Sequence, residues 1–116
     1  MTQRETRSNL RSGVNLFNLP DKPLGAELTE TLLKSSTVRI ERIVSQGHTS
    51  PDGFWYDQNE NEWVSLIEGQ AVIEFQDGAT QALSQGEHCL IPAHQRHRVK
   101  STSTSPPAIW LAVFFV

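Results

Sequence analysis

Four side chains able to bind or activate a small molecule stand at spacings that folding can exploit. Tyr56, Gln58 and Glu62 lie in "GFWYDQNENEWVSLIEG", residues 53–69, and His97 closes "GEHCLIPAHQRH", residues 86–97. On an extended chain, residues an even number apart point the same way. A phenol, a carboxamide and a carboxylate therefore share one face if residues 56–62 are extended. A carboxylate turned inward is costly unless it is paired, hydrogen-bonded or bound to a cation. If His97 reaches the same face, the group is either a cation site or a self-satisfied polar cluster.

Only if the fold brings His97 to Glu62 and Gln58 would a divalent ion find an imidazole, a carboxylate and a neutral amide oxygen together. Such a set, rich in oxygen with one nitrogen, suits Mn, Fe, Ni or Zn and leaves positions open for water or substrate. Tyr56 is a poor ligand while protonated. Its ordinary pKa near 10 makes the phenolate cost about 4 kcal/mol at neutral pH, so it is expected to donate a proton or hydrogen bond. In the metal-free alternative, Glu62 accepts hydrogen bonds from a protonated His97 and from Gln58. His48, Trp55 and His94 are expected around the pocket mouth, with a solvated loop histidine as the simpler alternative for the first and last. Phe54 and Trp63 read as packing residues and His88 as structural. Arg39, Arg42, Arg96 and Arg98 are expected to be solvated or ion-paired, an anionic ligand being the other possibility.

The elements that must position these groups are short strands. "TVRIERIVS" (37–45) alternates, with Val38, Ile40 and Val44 on one side and Arg39, Glu41 and Ser45 on the other; Ile43 breaks the polar side. "EWVSLIE" and "AVIEF" read as a hairpin pair, followed by "HCLIP", "HRVKS" and "AIWLAVFFV". The last is apolar on both faces, so it must be covered on both sides or by another subunit. Residues 27–35, "ELTETLLKS", fit either a helix or a strand; their place among strands favours a strand. Turn signals separate the segments: Ser50–Gly53 in the pattern of a type I turn, Asp77-Gly78 as a hairpin turn, and the glycines at 69 and 86. Regular short strands with such punctuation predict an all-β barrel or sandwich.

The spacing of glutamate, six residues and glycine at 62–69, followed by Gly86, Pro92 and His97, resembles the two motifs of the cupin superfamily. The resemblance covers residues 37–116 and implies a double-stranded β-helix, or jelly-roll barrel. Glu62 and His97 fall on metal positions of the family pattern. Tyr56 and Gln58 stand where that pattern has two histidines, Ser50 where it has a glycine, His94 where it has the loop glycine, and Ser101 where it has asparagine. The resemblance implies a small metal-dependent oxygenase, isomerase or lyase; a ligand-binding module without metal is the alternative.

The 116 residues suffice for one such domain, expected over 14–116 behind a flexible segment of residues 1–13. The net charge of −3 lacks the basic footprint of a nucleic-acid binder. No run approaches the roughly 18–20 apolar residues of a membrane helix. The amino terminus carries no apolar stretch like that of a secretory signal. The lone Cys89, in an apolar context, reads as a small core residue and permits no internal disulfide, as in the cytoplasm. The expected partners are a small-molecule ligand and, through uncovered apolar strand faces, a second copy of the chain.

Overall fold

A computed structural model describes residues 14–116, so the flexible segment expected over 1–13 lies outside the described residues. The chain forms eight strands and no helix among those residues: β1 (Leu28–Lys34), β2 (Val38–Ser45), β3 (Asn61–Glu68), β4 (Gln70–Phe75), β5 (Thr80–Ser84), β6 (His88–Ile91), β7 (His97–Thr102) and β8 (Ala108–Phe115). They make two antiparallel sheets, one in the order β1-β2-β8-β3-β6 and one in the order β5-β4-β7. The fold is all-β, as expected from the strand pattern, and is the jelly-roll barrel that the family resemblance implies. Residues 27–35 resolve to the strand β1. Among the described residues no helix is long and apolar enough to cross a membrane.

The core lies between the sheets. Val64, Leu66, Ile91, Trp110 and Phe114 from the larger sheet meet Ala71, Ile73 and Leu83 from the smaller. Burying one such large side chain contributes about 1.5–3 kcal/mol. β8 is central, flanked by β2 and β3, so its apolar sequence is largely explained. Trp110, Ala112 and Phe114 face the core, and Ile109 is fully buried on the opposite face, whereas Leu111, Val113 and Phe115 there are only half-buried.

β2 reverses the usual alternation. Its register with β8 pairs Arg39 with Phe114, Glu41 with Ala112 and Ile43 with Trp110. Opposite residues in an antiparallel pair share a face. The polar row of β2 therefore faces the interior, and its apolar row, Val38, Ile40 and Val44, faces out. Arg42, also on the outer face, pairs with Glu30 and donates to the backbone carbonyls of Leu16 and Asn18. It thereby ties the incoming segment across β2.

Two local expectations are corrected. The turn after Ser50 is closed by Phe54 N–H on the carbonyl of Pro51, so it spans Pro51–Phe54 rather than Ser50–Gly53. Gly53, at φ +77°, takes its third position, which is the requirement of a type II turn. Ser50 instead donates its N–H to the Val99 carbonyl and accepts that residue's N–H on its hydroxyl. Residues 56–62 are also not one extended strand. A bend at Asn59–Glu60 separates Tyr56 and Gln58 from β3.

Candidate metal and ligand site in the barrel

That bend carries the chain from one sheet to the other. Tyr56 forms an antiparallel bridge with His97: its N–H donates to the His97 carbonyl at 2.7 Å, and the His97 N–H donates back at 3.2 Å. The phenol and imidazole rings stack with centroids 5.4 Å apart. Gln58 is held two residues further on, where its carbonyl accepts the His94 N–H. Glu62 then enters on β3, the opposite wall. Even spacing thus puts the three side chains together through two separate anchorings rather than one continuous strand.

Tyr56, Gln58, Glu62 and His97 all line a cavity of about 260 Å³ between the sheets. Its apolar walls include Val64, Ile73, Ile91, Val99 and Trp110. Glu62 and His97 are buried, and His97 Nε2 lies 3.5 Å from Glu62 Oε1. Gln58 Nε2 donates to the same oxygen at 3.1 Å.

The His97 Nδ1 atom lies 2.9 Å from the carbonyl of Gln95. A carbonyl only accepts, so Nδ1 carries a proton. In a neutral ring Nε2 is then a lone pair aimed at a carboxylate, and a cation must sit between them: a second proton or a metal ion. Burial pushes the His97 pKa down, but the Glu62 carboxylate and the Gln95 carbonyl outweigh it and hold it above the usual histidine value. The separation bears on which cation is better suited. A charge-assisted N–H···O bond is about 2.7–2.9 Å long, shorter than observed. Two ligands of one ion, each bonded at about 2.1 Å in tetrahedral or octahedral geometry, stand roughly 3.0–3.4 Å apart, nearer to the observed 3.5 Å but also shorter than it. Locking of Nδ1 by a backbone carbonyl is also the usual support of a metal-binding histidine.

The donor set therefore fits a divalent ion held by His97 Nε2, Glu62 and the carboxamide oxygen of Gln58, which has no hydrogen bond among the described residues. No group of three or more His, Cys, Asp or Glu side chains suited to a metal occurs among the described residues. A third protein ligand would have to be the neutral Gln58, which turns its amide nitrogen to Glu62 and would have to bring its oxygen round. Tyr56 stays a neutral phenol. Burial raises its pKa, and the nearby Glu27 and Glu62 carboxylates raise it further. Its hydroxyl has no protein hydrogen-bond partner among the described residues and is free for a ligand.

The other expected pocket residues stand apart from this cavity. His48 Nδ1 accepts the Gln46 N–H, and its carbonyl accepts the Thr102 hydroxyl. Trp55 packs near the Arg98 guanidinium, 5.9 Å from its ring centroid. His94 occupies a turn at φ +67° and is clasped, with Arg96, on Asp57. This clasp holds the Asp57 pKa low, the His94 bond being its chief cause. Cys89 packs at the edge of the core, where burial raises its pKa, and His88 accepts the Trp63 indole N–H on Nδ1 outside.

Four polar cavity residues were not singled out as site residues from the sequence: Glu27, Thr29, Arg39 and Glu41. Arg39 is ion-paired, as expected of the arginines, but inside the barrel. It donates Nε to Glu41 at 2.8 Å and Nη1 to Glu60 at 2.9 Å, over the Phe114 ring. The available signal was Ile43. An apolar residue in the polar row of β2 marks that row as interior.

Comparisons with known proteins agree with the fold. The chain matches the Cupin_2 family, described as a cupin domain, over residues 42–114. Among curated proteins none matches significantly. A crystal structure from Ralstonia eutropha, described as a candidate mannose-6-phosphate isomerase, is 42% identical, covers 90% of this chain and 97% of its own, and superposes with a TM-score of 0.80. A cupin superfamily protein from Desulfitobacterium hafniense is 21% identical, with coverage of 89% and 99% and a TM-score of 0.68. An RmlC-like cupin from Shewanella frigidimarina is 18% identical, with coverage of 81% and 79% and a TM-score of 0.66. The last two bear on fold alone. With its motif glutamate and histidine facing each other inside a jelly-roll barrel, this chain belongs to the cupin domain family.

Proposed function

We propose that this protein binds a divalent transition metal, Mn, Fe, Ni or Zn, at Gln58, Glu62 and His97 and acts on a small molecule in the adjoining cavity. Among the oxygenase, isomerase and lyase chemistries open to such a site, we favour isomerase-type proton transfer. The observation that carries the reading is the Nε2–Oε1 approach of 3.5 Å between a buried imidazole and a buried carboxylate. The description of the Ralstonia relative as a candidate isomerase supports the reaction class. When bound, the metal would act as a Lewis acid on a substrate oxygen. Tyr56 supplies the proton donor, a neutral phenol with a free hydroxyl at the cavity mouth. The apolar walls orient the substrate and exclude water.

The test is elemental analysis of protein purified without chelator. About one equivalent of transition metal is expected, lost in Glu62→Ala and His97→Ala. Metal-free protein after metal-replete expression would sink the proposal and favour a non-catalytic ligand-binding module. One observation already speaks for that second reading: Gln58 and a protonated His97 can satisfy Glu62 by themselves.

We also propose that the chain works as a cytoplasmic homodimer. Its single cysteine is free, in keeping with a reducing compartment. The outer face of the large sheet carries the row Leu33, Ile40, Val113, Trp63 and Leu90, one residue from each strand in register. Leu33 and Leu90 are 53% and 55% exposed, and a second copy would cover this row.

A further inference from the structure

The cavity has a second polar end, on β1 and β2, that the proposed metal site does not use. Glu27 stands at its rim and Glu41 on its wall, with Arg39 between Glu41 and Glu60. Glu41 is largely buried, with 14% of its side chain exposed. It gives one oxygen to Arg39 Nε; Glu27 gives one to the hydroxyl of Ser45, which also accepts the Trp110 indole N–H. The second oxygen of each carboxylate has no protein partner among the described residues. Glu27 is exposed and the free oxygen of Glu41 is not sealed off, so both can take a hydrogen bond from a donor that enters the cavity.

The sign of the charge narrows that donor. Among the described residues, Arg39 is the one Lys or Arg side chain that lines the cavity, against the carboxylates Glu27, Glu41 and Glu62. Its charge is already shared between Glu41 and Glu60. The β1–β2 end therefore stays negative whatever cation lies between Glu62 and His97. A phosphate or carboxylate ligand would meet like charge there, in a setting of low dielectric where repulsion is strong. Tyr56, Trp110 and Phe114 add aromatic rings to the same lining. Aromatic faces attract organic cations; that of Phe114 is already covered by Arg39.

We propose that the cavity selects an organic ammonium: an amine on a compact apolar body, with the nitrogen at Glu27 and Glu41 and the body against Trp110 and Ile43. This rests on the cavity being the ligand site. It sets the ligand class apart from the sugar phosphate named for the Ralstonia relative.

The experiment is calorimetric titration of the full chain, after chelator treatment, with benzylamine, benzyl alcohol and benzoate at pH 7.5. These probes share a ring and differ in charge. Benzylamine is expected to bind at least tenfold more tightly than benzoate, with benzyl alcohol between. Glu27→Gln and Glu41→Gln should each weaken benzylamine three- to tenfold and leave benzyl alcohol within twofold. Glu27 is exposed at the rim, so its substitution leaves the packing intact if the Glu41 variant does not fold. Benzoate binding as tightly as benzylamine, or variants that weaken all three probes alike, would overturn the ammonium assignment while leaving the cavity as the ligand site. Failure of all three probes to bind would overturn both.

Discussion

At the scale of single residues, the site depends on how each donor's second atom is occupied. His97 spends Nδ1 on the Gln95 carbonyl and is left with Nε2 for Glu62. Gln58 spends its amide nitrogen on Glu62 and keeps its oxygen. Tyr56 spends neither its proton nor its oxygen on the described residues. In the proposed function the phenol therefore serves the ligand and not the metal. Tyr56→Phe should leave metal affinity within about twofold, since a neutral phenol with a raised pKa contributes little as a ligand. A competition titration with a chromophoric chelator would read this, and a loss of metal affinity greater than tenfold would make Tyr56 a ligand. Glu62 and His97 were legible in the sequence because their spacing to Gly69 and from Pro92 is specific. Glu27, Arg39 and Glu41 were not. A charged alternating row reads as solvent-facing until a second sheet is known to cover it.

At the scale of elements, strands and turns carried most of the legible signal, and tertiary anchoring carried what was missed. Asp77-Gly78 forms the β4–β5 hairpin turn as expected, with Phe75 N–H closing on the Ala79 carbonyl. The expected type I turn slipped by one residue because Ser50 is drawn into hydrogen bonding with Val99, leaving Pro51 to open the turn. The bend at Asn59–Glu60 has no local glycine or proline to announce it. Glu60 is instead engaged by Arg39 from β2. Gly69, which closes the first motif, has a clear physical reason. It sits between β3 and β4 at φ +87°, and a Cβ there would lie 2.7 Å from the Pro107 carbonyl oxygen and 2.9 Å from Ala108 Cα. Gly69→Ala combines a left-handed backbone with a clash against main chain. It should destabilise the fold by about 2–4 kcal/mol. Urea denaturation would measure this, and a loss below about 0.5 kcal/mol would show that the β3–β4 turn has slack the packing does not reveal.

At the scale of the whole molecule, the barrel has two kinds of apolar surface. The inner one is closed by the two sheets; the outer row from Leu33 to Leu90 is not closed by the described residues. A stable pairing of two copies buries about 1,200–2,000 Å² in total, an area that a face five strands wide can supply. Sedimentation at micromolar concentration should show a dimer, and Leu33→Glu with Leu90→Glu should convert it to a monomer that keeps its metal. A monomeric wild-type protein would contradict the pairing without touching the site.

The interior is where the account is most exposed. The direct measurement is a crystal structure of manganese-loaded protein with anomalous data collected for that metal. One anomalous peak is predicted inside the barrel, within bonding distance of His97 Nε2 and a Glu62 oxygen. Fully manganese-treated crystals with no peak there, and an N–H···O hydrogen bond directly joining His97 to Glu62, would contradict it.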